Sequence, residues 1–289
     1  MRDEFLLNIH FIILLKLNSP IIAPEVNVMI LSNSKLSTAL IIVEYKPNTT
    51  SIRAPEIPGI IIADAAIIPH IRIYERLILI LSIADNNGDL LFYTDGSLVY
   101  NKNHTLMPNG TGLLGNSSSS QSAIIVKKPT SNTIYYIFTV NGMSGGGGGL
   151  NYSEVDMSLD GGLGDININK NIAIFPNACE KVTAIKHQNS TDFWIVSRLE
   201  NSNEYHAYLL TSSGLNMVPV VTNIGPVNNA DIGYLKPSSN GSKIAAADYM
   251  NSSLNIMDFD NSTGGLSNII TINNSFYGVE FSPNNDILY

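Results

Sequence analysis

Five histidines, one cysteine and a few clustered carboxylates are the groups in this chain able to do acid–base, nucleophilic or metal chemistry. The histidines are His10, His70, His104, His187 and His206. His104 lies in NKNHTLMPNG, a stretch of turn-forming residues, and Glu180 and His187 flank a predicted inner strand. Histidines and carboxylates gathered on a metal would make a hydrolytic centre. Groups this far apart in sequence converge only if the fold brings them together. Cys179 is the lone cysteine, which excludes an intrachain disulfide framework and a multi-cysteine zinc site. A nucleophilic thiolate would need a histidine partner, and no motif links Cys179 to the nearest one, His187. The thiol reads as a small, semi-buried apolar group.

The carboxylate clusters read as turns. Asp258, Asp260, Asn261 and Gly264 have the flavour of a calcium loop. That loop ends in a bidentate Glu, which is missing at the required distance, and Phe259 reads as strand packing. Asp160 and Asp165 in DGGLGD have oxygens for a cation, but a glycine-rich hairpin accounts for them. The run Gly145–Gly149 lacks the Gly-Lys-Ser/Thr ending of a phosphate loop and reads as a flexible connection. No GxSxG elbow supplies a hydrolase nucleophile. Triplets such as Asn109-Gly-Thr111 and Asn261-Ser-Thr263 are glycan acceptors only in a glycosylating secretory system. The sequence therefore assigns no catalytic, cofactor-binding or metal-ligating residue, and no cofactor.

What must position these groups follows from composition and pattern. The 289 residues are 44% hydrophobic and 14% charged, enough for a sizeable core under an uncharged, Asn- and Ser-rich surface. Sixteen Lys and Arg against 24 Asp and Glu give a net charge of −8, with no basic run. That argues against nucleic acid as a partner, because binding it needs many cationic phosphate contacts. The apolar runs are too short to span a bilayer, so no membrane insertion is expected. Asp3, Glu4 and Lys16 spoil any signal peptide at the N-terminus.

From residue 82 onward, short apolar strands alternate with Asn, Gly, Ser and Asp turns, the pattern of an all-β protein. The strongest strand of each unit is LLFYT (90–94), IYYIFTV (134–140), FWIVS (193–197), IAAADY (244–249) and ILY (287–289). Their starts lie about 43 to 59 residues apart, near the period of four-stranded propeller blades. A tight turn precedes each: NNGD, PTSN, NSTD, SSNGS and SPNND. These strands are apolar on both faces, as expected when blades stack face to face. Third and fourth strands follow at 150–158 and 166–175, at 205–211 and 217–223, and at 254–260 and 268–274. The best-formed unit is IGYLKPSSNGSKIAAADYMNSSLNIMDFDNSTGGLSN, residues 232–268. A further blade starts at Phe276 and stops at Tyr289, so the sequence reads as truncated within it.

Residues 1–81 differ. They hold one glycine, Gly59, six prolines and dense isoleucine, as in IPGIIIADAAIIPHIRI. They form an unassigned segment with two readings. One is a small irregular β region. The other, which we prefer, is sequence not native to the gene, since an Asn codon read from the opposite strand becomes an Ile codon.

GDLLFYTDGSLVYNKNHTLMPNGTGLLGNSSSSQSAIIVKKP, residues 88–129, resembles the N-terminal propeller of large Bacteroidetes surface proteins that end in a gliding-motility-associated, type IX secretion sorting domain. YYIFTV, LNYSEVDMSLDGGLGD, EKVTAIKH, DFWIVS, IGYLKPSSNGSKIA and GVEFSPNNDILY extend the resemblance over residues 82–289. FSPNNDILY alone is similar to hairpins of WD-repeat and lactonase-like propellers. The family's usual opening blade and its sorting domain are not seen in this sequence. The resemblance implies an extracellular or cell-surface location and no catalytic residues. The expectation is an all-β propeller fragment of about four blades with an incomplete ring. Its expected role is that of a non-enzymatic interaction or structural module, related to adhesion or gliding and binding a protein or surface glycan. The alternative is a hydrolase or lactonase-like propeller enzyme with a metal site at the channel mouth, and a third reading is an intracellular sensor.

Overall fold

The computed structural model describes residues 81–116, 118–142, 149–227 and 232–289, together with the backbone of 26–31 and 40–45. Within the first 81 residues, β1 (Val26–Leu31) and β2 (Leu40–Tyr45) pair antiparallel. The isoleucine-rich stretch at 57–73, His10, His70 and most of the glycine run lie outside the described residues.

The rest is an all-β propeller array of four blades. The first is β3 (Leu81–Ala84), β4 (Leu90–Thr94) and β5 (Val99–Asn101). The second is β6 (Ala123–Lys127), β7 (Ile134–Val140), β8 (Leu150–Asp156), β9 (Asp165–Ile166) and β10 (Ile172–Phe175). The third is β11 (Ala178–Lys186), β12 (Phe193–Leu199), β13 (Glu204–Thr211), β14 (Gly214–Leu215) and β15 (Val220–Asn223). The fourth is β16 (Leu235–Pro237), β17 (Lys243–Asp248), β18 (Ser253–Asp260) and β19 (Gly265–Asn273). Beyond it, Phe281 and Leu288 form an isolated antiparallel bridge where the sequence pattern predicts a second strand at 287–289. The predicted strand at 166–175 is split into β9 and β10, and the predicted strand at 217–223 is confined to β15.

Each predicted tight turn places one residue at positive φ: Gly88, Thr130, Ser190, Gly241 and Asn285. A short polar side chain beside it ties the turn. Asp85 Oδ1 accepts the Asn87 and Asp89 N–H groups, the Ser131 hydroxyl oxygen accepts that of Ile134, and the Ser282 hydroxyl oxygen accepts that of Ile287. Asn, Gly and Ser suit these turns because they tolerate left-handed backbone or bond to it locally.

The core lies between blades. In β7, Tyr135 and Ile137 pack with Phe92 and Val99 of the first blade. Tyr136, Phe138 and Val140, pointing the other way, pack with Val182, Ile195 and Tyr208 of the third. A period-2 strand with both faces covered must be apolar at every position, which is why IYYIFTV does not alternate. The third and fourth blades meet through Ile185, Trp194, Val196, Leu235, Ile244, Met257 and Phe259. Burying one such side chain stabilises the fold by ~1.5–3 kcal/mol. No helix among the described residues is long and apolar enough to cross a membrane, which says nothing of strands that might.

Candidate functional site

The inner strand β11 neighbours both β6 and β16, and the starts of the three meet where Gln121, just before β6, bonds to Glu180 and Leu235. We call this the upper end. Here the polar run at residues 119–122 is buried. It bonds to all four blades. The Ser122 hydroxyl donates to the Asp95 carbonyl at 3.0 Å in the first. The Ser119 hydroxyl donates to the Val140 carbonyl, and the Val140 N–H to the Ser122 carbonyl, in the second. The Gln121 N–H donates to the Glu180 carbonyl at 2.9 Å in the third. In the fourth, the Gly233 N–H donates to the Ser120 hydroxyl oxygen at 2.9 Å and the Leu235 N–H to Gln121 Oε1 at 2.8 Å, while Gln121 Nε2 donates to the Leu235 carbonyl at 3.4 Å. Buried backbone polar groups need partners, and this run supplies them to the inner edges of two blades.

Glu180 sits beside the run. Its carboxylate is buried and accepts the Ser120 N–H at 3.1 Å, with the Ser120 hydroxyl at 3.5 Å. Strand alternation sends the next residue, Lys181, to the opposite face. Its ammonium donates to Asp248 Oδ1 at 2.8 Å and to the Ala247 carbonyl at 2.7 Å. Arg198 at the end of β12 reaches Asp248 Oδ2 at 3.2 Å, and Asn255 Nδ2 donates to the same oxygen at 3.1 Å. The side chains of Lys181, Arg198 and Asp248 are 1%, 2% and 0% exposed. Burying three charges carries a large desolvation cost, so this knot needs its mutual bonds. Burial works against the Arg198 charge, but Tyr205, Cys179 and Asp248 together hold its pKa above the ordinary value. Burial pushes the neighbouring Tyr205 hydroxyl up to about 12, despite the opposing pull of Arg198. The knot locks the start of β11 to the fourth blade and so fixes where Glu180 stands.

The structure separates the other candidates. His187 lies at the lower end of β11, with Nδ1 accepting the Asn189 N–H and its ring tilted against Trp194. His104 is exposed in a loop beside Tyr93, and His206 bonds Glu204 and stacks on Phe175. Cys179 is buried, with its sulfur 3.9 Å from the Lys181 carbonyl. Asp165 accepts the backbone and side-chain N–H groups of Asn109 at 2.8 and 2.7 Å. Asp160 opens a single 3-10 turn, Asp160–Gly162, in the link predicted as a hairpin. Asp260 accepts the Ser262 N–H and hydroxyl, and Asp258 pairs with Lys243 and Asn268. The Gly264 turn packs on the Trp194 ring. Among the described residues, no group of three His, Cys, Asp or Glu side chains is close enough to hold a metal ion.

No protein-family model matches the chain, and no curated protein matches it. Solved structures of similar fold include two that bear lactonase names. One is a provisionally named 6-phosphogluconolactonase from Bacteroides uniformis, with 16% identity over 73% of this chain and 70% of that one, at a TM-score of 0.45. The other is the periplasmic gluconolactonase of Pseudomonas aeruginosa, with 13% identity over 68% of this chain and 51% of that one, at a TM-score of 0.37. Both bear the names of enzymes, and on that finding the expectation of a non-enzymatic module is withdrawn. Likeness at this level carries no argument about chemistry, so the case for a site rests on the upper-end residues. Glu180 is among the sequence candidates, but Lys181, Arg198 and Asp248 are not, because they meet only across a blade interface. A lysine inside an apolar strand, at EKVTAIK, was the one visible signal.

Proposed function

We propose that the chain is a propeller hydrolase acting on an ester or lactone at the upper end of its inner strands. One observation carries the reading: a buried carboxylate, Glu180, lies beside a serine hydroxyl and the backbone N–H donors of Ser120 and Gly233. In this reading Glu180 is the general base. It takes a proton from a water as the water oxygen attacks the substrate carbonyl carbon. The Ser120 N–H holds the base, and the Gly233 N–H, released from the Ser120 hydroxyl, donates to the oxyanion that forms, a role worth ~2.7–4 kcal/mol per donor where it has been measured. Collapse breaks the bond from the carbonyl carbon to the alkoxy oxygen. Glu180 returns the proton to that oxygen, leaving a hydroxy acid from a lactone. Lys181, Arg198 and Asp248 are positioning residues that hold β11 against the fourth blade.

The names of the two similar structures make a gluconolactone the first compound to assay. The test is lactone hydrolysis by wild type and Glu180→Gln, each checked for an unchanged circular dichroism spectrum. The expected result is a loss of roughly 100-fold or more in kcat, at the lower end of what a positioned base supplies. Equal rates in the two proteins would remove Glu180 from the mechanism, and no hydrolysis across a panel of lactones and esters would remove the function. The same reading sets the protein outside the cytoplasm, as its resemblance to surface propellers implies, and recovery from the cytoplasmic fraction of its host would reject that setting.

A further inference from the structure

The inner edge of a propeller blade ends in backbone groups with no further strand to pair with. At Gly233 and Leu235 these groups are bonded to side chains from a loop. Gln121 presents its carbonyl oxygen to the Leu235 N–H and its amide N–H to the Leu235 carbonyl, reproducing the acceptor and donor of a peptide. The Ser120 hydroxyl serves the Gly233 N–H. A strand neighbour could not leave without unzipping a ladder. A side chain leaves by rotating about its own bonds. Replacing one buried set of hydrogen bonds by another of equal number changes the free energy little, whereas leaving the set empty is costly.

We propose that Gly233 N–H, Leu235 N–H and the Leu235 carbonyl form a binding site for the polar end of a polyhydroxy lactone or its hydroxy acid, and that Ser120 and Gln121 occupy this site as a latch when no ligand is bound. The latch is consistent with the ligand class that the hydrolase reading supplies. The Gln121 carboxamide is an acceptor beside a donor, and a carbonyl next to a hydroxyl offers the same pair. The site adjoins the Glu180 carboxylate through Ser120, whose N–H bonds that carboxylate while its hydroxyl oxygen takes the Gly233 N–H. A ligand that displaces the latch would therefore lie against the proposed base. This inference rests on the hydrolase reading for its substrate class, but its test does not need turnover.

The experiment measures binding of sodium gluconate to the full chain by calorimetry, for wild type, Gln121→Ala and Gln121→Glu. Amide hydrogen exchange is followed on the same three proteins. Gln121→Glu retains the size and acceptor of the side chain, so it guards against loss of fold in the alanine variant. Without ligand, exchange at Leu235 should rise about 10-fold in Gln121→Ala while Val126 and Lys186, at the far ends of their strands, stay protected. Gluconate should bind Gln121→Ala about 3- to 10-fold more tightly than wild type, because the cost of displacing the latch is gone. Equal or weaker binding in that variant, or no binding to any of the three, overturns the latch. Lactone turnover without a latch effect would retain the hydrolase and discard this inference. Tighter gluconate binding without turnover would do the reverse.

Discussion

Two polar stretches of this molecule differ in how far their side chains reach across the fold. DFDNSTGG, residues 258–265, carries the carboxylates that suggest a cation loop, but it is a turn at the end of β18 whose carboxylates bond within their own blade. Asp260 bonds within the turn, and Asp258 bonds to Lys243 and Asn268 in the same blade. SSSSQS, residues 117–122, carries no charge and no motif. Four of its residues, 119–122, are buried and bond to four blades. The importance of a polar residue here depends on burial and reach, not on formal charge. An exposed carboxylate satisfied by its own turn does local work. A neutral amide buried on the inner edge joins distant strands.

The most severe test of that contrast uses one chemical change in two places. Asp248→Asn keeps the size of the side chain and removes its charge, leaving Lys181 and Arg198 buried without their counter-ion. Breaking a buried ion pair by removing one partner costs about 3–5 kcal/mol. Asp258→Asn removes the charge from a pair with Lys243 in which the side chains are 39% and 45% exposed. Such surface pairs contribute ~0.2–1 kcal/mol. Urea unfolding should move the midpoint of Asp248→Asn far below that of Asp258→Asn. Similar midpoints would show that the upper-end knot is hydrated in solution, and the argument for its positioning role would fall.

The contrast also marks what could be read from the chain alone. The blade repeat was legible because its causes are local: positive-φ turn residues recur before each strong strand, and two-sided burial makes IYYIFTV apolar throughout. The order of strands in each blade follows from the same signals. The upper end was not legible, because Gln121 meets Leu235 across 114 residues and Lys181 meets Asp248 across 67. No period of apolar residues encodes such meetings. Glu180 drew notice beside His187, but the two stand at opposite ends of β11, where a strand of nine residues holds them apart. Serine runs carry little information. Their small hydroxyl side chains suit a solvated linker and a crowded centre equally well, and only the fold decides between them.

Within the turn, the sensitive residue is a glycine. Gly264 has φ +82, and a Cβ there would stand 2.8 Å from the Trp194 ring. Trp194 is itself held by its indole N–H donating to the Asn261 carbonyl at 2.9 Å, so it has little room to move. Gly264→Ala should therefore cost about 1–3 kcal/mol, the range for overpacking and for a non-glycine residue forced to positive φ. Thermal unfolding followed by tryptophan fluorescence reads both the loss and any displacement of the ring, since Trp194 is the single tryptophan. An unchanged melting temperature would mean that the turn yields freely and that its packing on the third blade is loose.

Asp260→Asn should have the smallest effect, and its pH dependence identifies the cause. The Ser262 hydroxyl and N–H, with help from Thr263, draw the Asp260 carboxyl down to about 2. The folded pKa is thus depressed below the unfolded one. The stabilisation is present above the unfolded value near ~3.9 and is lost as pH falls through the folded value. The side chain is exposed, so water and salt screen the effect, and wild type should exceed Asp260→Asn by only a small margin at neutral pH. That margin should shrink steadily as pH is lowered from about 5 towards 2, because protonated Asp and Asn then present similar groups to Ser262. Parallel urea titrations of the two proteins at several pH values measure it. A margin that stays constant across this range would show that Asp260 acts through its shape in the turn rather than its charge, and one that grows would mean its carboxylate opposes folding. Added calcium offers a finer discrimination. A turn already satisfied by Ser262 and Thr263 should melt at the same temperature with or without the ion, whereas a rise abolished by Asp260→Asn would restore the cation reading and narrow the distance between the two stretches.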